Sequence, residues 1–190
     1  MKYRESGMPD EEMWNSFFDP EVILDLLDVT VGINGFLDIG CGYGTFLLAA
    51  SKRVNKAVGI DIDEQMIDYC RSKIDANQNH NIELIHGDIS QEQSLSLLRS
   101  YSTNIDYVTL FNILHCENPD KLLQSVYGIL EDNGRIGVIH WNYENTPRGP
   151  SMEIRPRPEQ IIALAENTGL TLIKQVDLPP HHYGLVFIKY

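Results

Sequence analysis

Basic residues are scarce in this chain: 15 lysines and arginines stand against 27 aspartates and glutamates, a formal charge of −12 at pH 7. Nucleic acid and anionic membrane both require a positive field, so this balance argues against either as the main partner. Cysteine is scarce too. Cys41, Cys70 and Cys116 are scattered and form no CxxC, which excludes a disulfide framework and points to a reducing compartment. No run approaches the ~18 apolar residues of a membrane span. The opening MKYRESGMPDEEMW lacks the apolar centre of a secretory signal, so a cytoplasmic protein is expected. Metal-ligand spacing is missing as well: His115 and Cys116, like His181 and His182, are adjacent residues whose side chains diverge on a helix or strand, so no metal is expected.

What is present centres on FLDIGCGYGTF, residues 36–46, a short apolar run interrupted by Asp38 and followed by Gly40, Gly42 and Gly44. It reads as strand, tight turn and helix. Glycine suits positive φ or close approach of backbone to a ligand, and a helix opening there presents unpaired N–H groups. The turn is therefore a candidate ligand cradle.

Around it, 190 residues suit a single α/β domain. Residues 1–32 predict a helical cap segment in two pieces, the first opened by Pro9, Asp10 and Glu11, the second by Asp19 and Pro20. The very start is expected to be mobile. Residues 33–142 alternate strands (36–39, 56–62, 82–88, 105–111, 135–141) with helices, which predicts a Rossmann-like, doubly wound sheet with helices on both faces. Ser90 and Gln93 form a capping-box pattern before one of those helices. Residues 143–190 supply a proline-rich loop, a last helix and two strand-like runs, LTLIKQVDL and HYGLVFIKY, expected as an antiparallel hairpin. The whole is a sheet of seven strands with the last antiparallel.

Ligands of doubly wound sheets bind at the carboxyl ends of the strands. Asp61 closes the second strand, where an acid can accept both hydroxyls of a ribose. Asp88 closes the third, where it can accept from an exocyclic amine, and Asp38 precedes the glycines, where it can attract a cation. Together they describe a nucleoside with a positively charged tail. The successive motifs LDIGCGYGTF, VGIDID, HGDIS, IDYVTLFNILH and LEDNGRIGVIHW resemble those of class I S-adenosylmethionine-dependent methyltransferases, nearest to the small-molecule "type 11" set that includes quinone-biosynthesis enzymes. The resemblance implies S-adenosylmethionine as cofactor. It places the backbone of Gly40, Cys41 and Gly42 along the methionine part with Asp38 near its amino group. It also sets Asp61 on the ribose, Ile62 against adenine, Asp88 and Ile89 at the adenine edge, and Phe111 and Asn112 beneath the methionine. A nicotinamide dehydrogenase is the rival, but its G-x-G-x-x-G needs glycine where Thr45 stands, and Asp38 would repel a pyrophosphate.

Methyl transfer from a sulfonium rests largely on holding the acceptor in near-attack geometry. His115 matches the histidine that often follows the fourth strand in this family, and it reads either as a base or substrate contact or as a helix-start residue bonded to backbone. His140, Trp141 and Tyr143 read as acceptor-pocket lining or as rim packing, and Trp14 and Phe18 as a lid or as plain packing. Arg148, Arg155 and Arg157 cluster in the long loop and are either a binding set for an acceptor's carboxylate or phosphate or solvated partners of Glu144, Glu153 and Glu159. Ile113 and Leu114 follow Asn112 in place of the prolines of base-amine methylating enzymes, so a small-molecule acceptor is expected and nucleic acid is not. The competing class is a catalytically silent S-adenosylmethionine-binding module. The oligomeric state is not encoded in any of these features.

Overall fold

A computed structural model describes residues 10–77, 80–101 and 104–190. Pro9 and the expected mobile start lie outside the described residues. The elements are α1 (Glu11–Ser16), α2 (Pro20–Leu26), β1 (Gly35–Ile39), α3 (Thr45–Ala50), β2 (Lys56–Asp61), α4 (Glu64–Asn77), β3 (Ile82–His86), α5 (Glu92–Ser100), β4 (Ile105–Phe111), α6 (Pro119–Ile129), β5 (Leu130–Trp141), α7 (Pro158–Asn167), β6 (Leu170–Leu178) and β7 (His182–Lys189). The strands form one sheet in the order β3-β2-β1-β4-β5-β7-β6. Every pair is parallel except β5–β7 and β6–β7. The seven-stranded, last-strand-antiparallel sheet is therefore as the sequence implied, and strand order reverses between β1 and β4, which puts the ligand crevice at their carboxyl ends.

Alternation along the buried strands sorts side chains onto two faces. Leu37 and Ile39 of β1 face a core completed by Leu122, Leu123 and Val126 of α6 and Ile161 and Ala165 of α7. Phe36 faces the other core, with Leu24 of α2, Phe46 and Leu47 of α3 and Ile67 and Cys70 of α4. Asp38, between Leu37 and Ile39, shares the face of Phe36 by the same alternation. Asp19 caps α2 as expected, its carboxylate accepting from Glu21 N and Val22 N with Pro20 in the first turn.

Local rules fail at two places. The expected capping box of Ser90 and Gln93 does not form: Gln91 occupies the cap position, and the amide and hydroxyl of Ser90 instead both donate to Asp88 Oδ1 at 2.8 Å. The strand expected from residue 135 begins at Leu130, which pairs with Ile105, and an irregular stretch holding Asn133 at φ 65° intervenes before Arg135 pairs with Tyr107. Among the described residues, no helix is long and apolar enough to cross a membrane.

Candidate functional site

The glycine turn between β1 and α3 takes the conformation its composition requires. Gly40, Gly42 and Gly44 have φ of 76°, 50° and 74°, the left-handed region where a side chain is strained. At Gly44 a Cβ would also come within 2.6 Å of Cys70 Sγ. The turn is not, however, a row of unpaired N–H groups. Gly40 N and Cys41 N donate to Ile60 O, Gly44 N donates to Cys41 O, and Gly42 N donates to Asp61 Oδ2 at 2.9 Å. It works as a cradle by shape, clamped onto β2, and Gly42 acts as the clamp.

Beside it lies a cavity of about 330 Å³ spanning the carboxyl ends of β2, β1, β4 and β5. Asp38, Gly40, Cys41, Asp61 and Ile62 form one end, Phe111 and Asn112 the middle, and His115, Trp141 and Arg148 the other, with Trp14 of α1 above. A narrow extension of about 30 Å³ adds Asp88 and Ile89 to Asp61 and Ile62. All the residues expected at a cofactor thus meet here, with Gly42 supporting the turn.

Asp38 is buried, and its Oδ1 accepts from Thr109 Oγ1 at 2.7 Å. Desolvation pushes its pKa up to about 7 against that hydrogen bond, with the Asp61 charge adding to the rise. Asp61 is also raised by burial, although Asp63 N and Gly42 N donate to it. Each of its oxygens keeps room for a second donor. Asn112 is the anomaly of the site: its φ is 55°, and both its amide nitrogen and its amide oxygen are buried without a hydrogen-bond partner. Strain and unmet polar groups in one side chain facing a cavity are the marks of a ligand contact.

The acceptor-side expectations divide. His115 lines the cavity, and its Nδ1 lies 3.3 Å from Nε2 of His140. His140 is fully buried behind it, held far below the usual histidine range first by desolvation and then by the His115 charge. It is therefore a support for His115 and no part of the wall. Trp141 and Trp14 do face the cavity, whereas Phe18 turns into the core between Phe46 and His182, with ring centroids at 5.5 and 4.6 Å. Tyr143 lies outside under the Arg157 guanidinium, 3.7 Å from its ring centroid.

Of the three loop arginines, only Arg148 reaches the cavity. Arg155 is buried and donates to the carbonyls of Asn142, Glu144, Arg148 and Pro150 and to Thr146 Oγ1, at 2.7–3.2 Å. It folds the loop after β5 and has no direction left for a ligand. Sequence reasoning missed Met66, Phe46 and Ile113 in the walls and Cys116 in the narrow extension. Their apolar spacing reads as ordinary core, and only the position of Ile113 and Cys116 just past β4 could have flagged them. Among the described residues, no cluster of three potential metal ligands exists.

The family model described as "Methyltransferase domain" matches residues 36–134. The chain belongs to this methyltransferase family. A demethylmenaquinone methyltransferase of Listeria welshimeri is 27% identical over 128 residues, covering 65% of this chain and 51% of that protein. The chain thus spans about half the length of the curated relatives it matches. A SAM-dependent methyltransferase from Aquifex aeolicus shares the fold at TM-score 0.81 and 21% identity, covering 95% of each chain. The [4+2]-cyclase SpnF shares it at 0.71 and 13% identity, covering 90% of this chain and 79% of that one. The class I methyltransferase resemblance thus holds at the level of family and fold, and S-adenosylmethionine is the cofactor that both indicate. The residues fit that group: a cation-seeking acid at Asp38, an acid for a ribose at Asp61 and an unmatched amide at Asn112.

Proposed function

We propose that the chain, as a single domain, transfers a methyl group from S-adenosylmethionine to a small-molecule acceptor. The observation that carries this reading is Asn112, a strained residue whose buried amide lacks any partner at the centre of the cavity. A methionine carboxylate would accept from its amide nitrogen and the ammonium would donate to its amide oxygen. Bound there, the cofactor supplies a methyl group made electrophilic by a sulfonium.

The chain's own residues do the rest. Asp38 and Asp61 hold the cationic and ribosyl parts, Asp88 and Ile89 take the base edge, and Trp14 with Phe111 keeps water from the reacting end. His115, braced by His140, takes or holds the acceptor's proton. The acidic net charge favours a small molecule over nucleic acid as acceptor, and placement in the cytoplasm accords with the free, buried cysteines.

Because a cyclase shares this fold, cofactor binding without methyl transfer is the second reading. Calorimetric titration with S-adenosylmethionine, with NADH in parallel and Asp61→Ala as control, tests the first step. Saturable binding of the former alone, lost in the variant, is expected, and binding of NADH instead would overturn the assignment.

A further inference from the structure

One end of the cavity carries a cation that nothing in the cofactor reading uses. Arg148 lines the wall formed by the loop after β5, and it makes no ion pair with any described residue. Its place is fixed from behind. The Arg148 carbonyl accepts from Arg155 Nη2 at 3.2 Å and from Thr146 Oγ1 at 2.5 Å. Its neighbour Gly149, at φ 103°, lies so close to Trp141 that a Cβ would come within 2.7 Å of the indole. The loop is thus built so that the backbone at Arg148 is held next to the Trp141 indole, with the residue on the cavity wall.

The charges of the cavity are sorted along the sheet. Asp38 and Asp61 come from β1 and β2 with Asp63 just beyond β2, Arg148 from beyond β5, and the uncharged Phe111 of β4 with the following Asn112 stands between. In a chain of net charge −12, the general field repels anions. Only a local, oriented cation can seat one, and a guanidinium fork does so with two parallel hydrogen bonds. Flat aromatic walls with one fixed polar group select a planar ligand and its orientation.

We infer that the acceptor is a planar molecule bearing a carboxylate or phosphate, which Arg148 pairs while the ring lies between Trp14 and Trp141. This deepens the methyltransferase reading and rests on it for the location of the cofactor.

The sequence contains two tryptophans, and both line this cavity, so their indole N–H resonances report on it directly. Protein labelled with ¹⁵N is first titrated with S-adenosylhomocysteine, which tests the cofactor reading alone. It is then titrated with 4-hydroxybenzoate, phenyl phosphate or the neutral 4-hydroxybenzamide, in the presence of S-adenosylhomocysteine if that binds and without it if not. We expect at least one anion to shift the Trp141 indole saturably and the amide to bind about tenfold or more weakly. In Arg148→Gln, the anions should fall to the level of the amide with S-adenosylhomocysteine affinity unchanged. Whichever anion binds more tightly identifies the headgroup. Equal binding of amide and anions, undiminished anion binding in Arg148→Gln, or no shift with any probe would each overturn the inference.

Discussion

Asp38→Asn should make the ligand-free protein more stable at alkaline pH while impairing its binding of S-adenosylmethionine. The carboxyl of Asp38 is buried, and desolvation raises its pKa from 3.8 to about 7. Between those values the folded chain holds a proton that the unfolded chain has released, so stability falls as pH rises and the full cost is present above pH 7. The span from 3.8 to about 7, at ~1.4 kcal/mol per pH unit, corresponds to up to about 4 kcal/mol. Asparagine keeps an oxygen for the Thr109 hydroxyl and removes the charge. At pH 8.5 the variant should gain up to that amount, and at ~2–4 °C per kcal/mol a thermal melt will register it. At pH 4 the gain should vanish. A bound cation reverses the preference, so cofactor affinity for the native chain should fall about tenfold for each pH unit below 7, because binding must then expel a proton. Calorimetry in buffers of different ionisation enthalpy reads that proton directly. An Asp38→Asn protein no more stable than native at pH 8.5, or one that binds S-adenosylmethionine undiminished, would refute the reasoning.

Three further perturbations separate binding groups from structural ones. Asn112→Gly relieves a positive φ and removes a buried unpaired amide, so stability should rise by about 1 kcal/mol in a denaturant melt, while cofactor affinity measured by calorimetry falls at least about tenfold. Arg155→Ala strips the donors from the carbonyls of the loop after β5, and a loss of about 3 kcal/mol is expected. Limited proteolysis should then cut within residues 142–157, and Arg155→Lys should not restore protection. His182 lies among Phe17, Phe18 and Trp141, where burial lowers its pKa to about 3. Its contribution is complete above pH 6.5 and is lost as pH falls toward 3, about 2 kcal/mol by pH 5. Melts of His182→Phe should therefore decline less between pH 7 and 5 than those of the native chain.

The cofactor end was legible because its signals are local. Positive φ at Gly40, Gly42 and Gly44 leaves glycine as the fitting residue, and acids at strand ends fall at the crevice of any doubly wound sheet. The acceptor end was not, because side-chain roles there depend on where a long loop returns. Arg148 and Arg155 are indistinguishable as letters seven apart in one proline-rich stretch. The fold makes one a wall of the cavity and the other the staple that holds that wall. His115 and His140 likewise read as two pocket residues, while pairing of β4 with β5 puts one behind the other. Ser90 shows the same limit on a smaller scale: a capping-box spelling was claimed by a nearer acceptor, Asp88.

Some buried polar groups away from the cavity are compensated within the chain, although both ring nitrogens of His182 and Nδ1 of His140 are unpaired. Tyr107 donates its hydroxyl to Leu27 O, and Arg155 has a carbonyl for each arm. Two groups on the cavity are not: Asp38 carries an ionisation penalty and Asn112 two unmatched atoms, while Arg148 is exposed and has no counter-ion among the described residues. Uncompensated groups destabilise the ligand-free chain, and a ligand that matches them recovers that free energy on binding. The three call for different partners, a cation at Asp38, a donor and an acceptor at Asn112, and an anion at Arg148. An amino-acid sulfonium would satisfy the first two and leave the third, which is why we assign the charge at the far end to a second molecule.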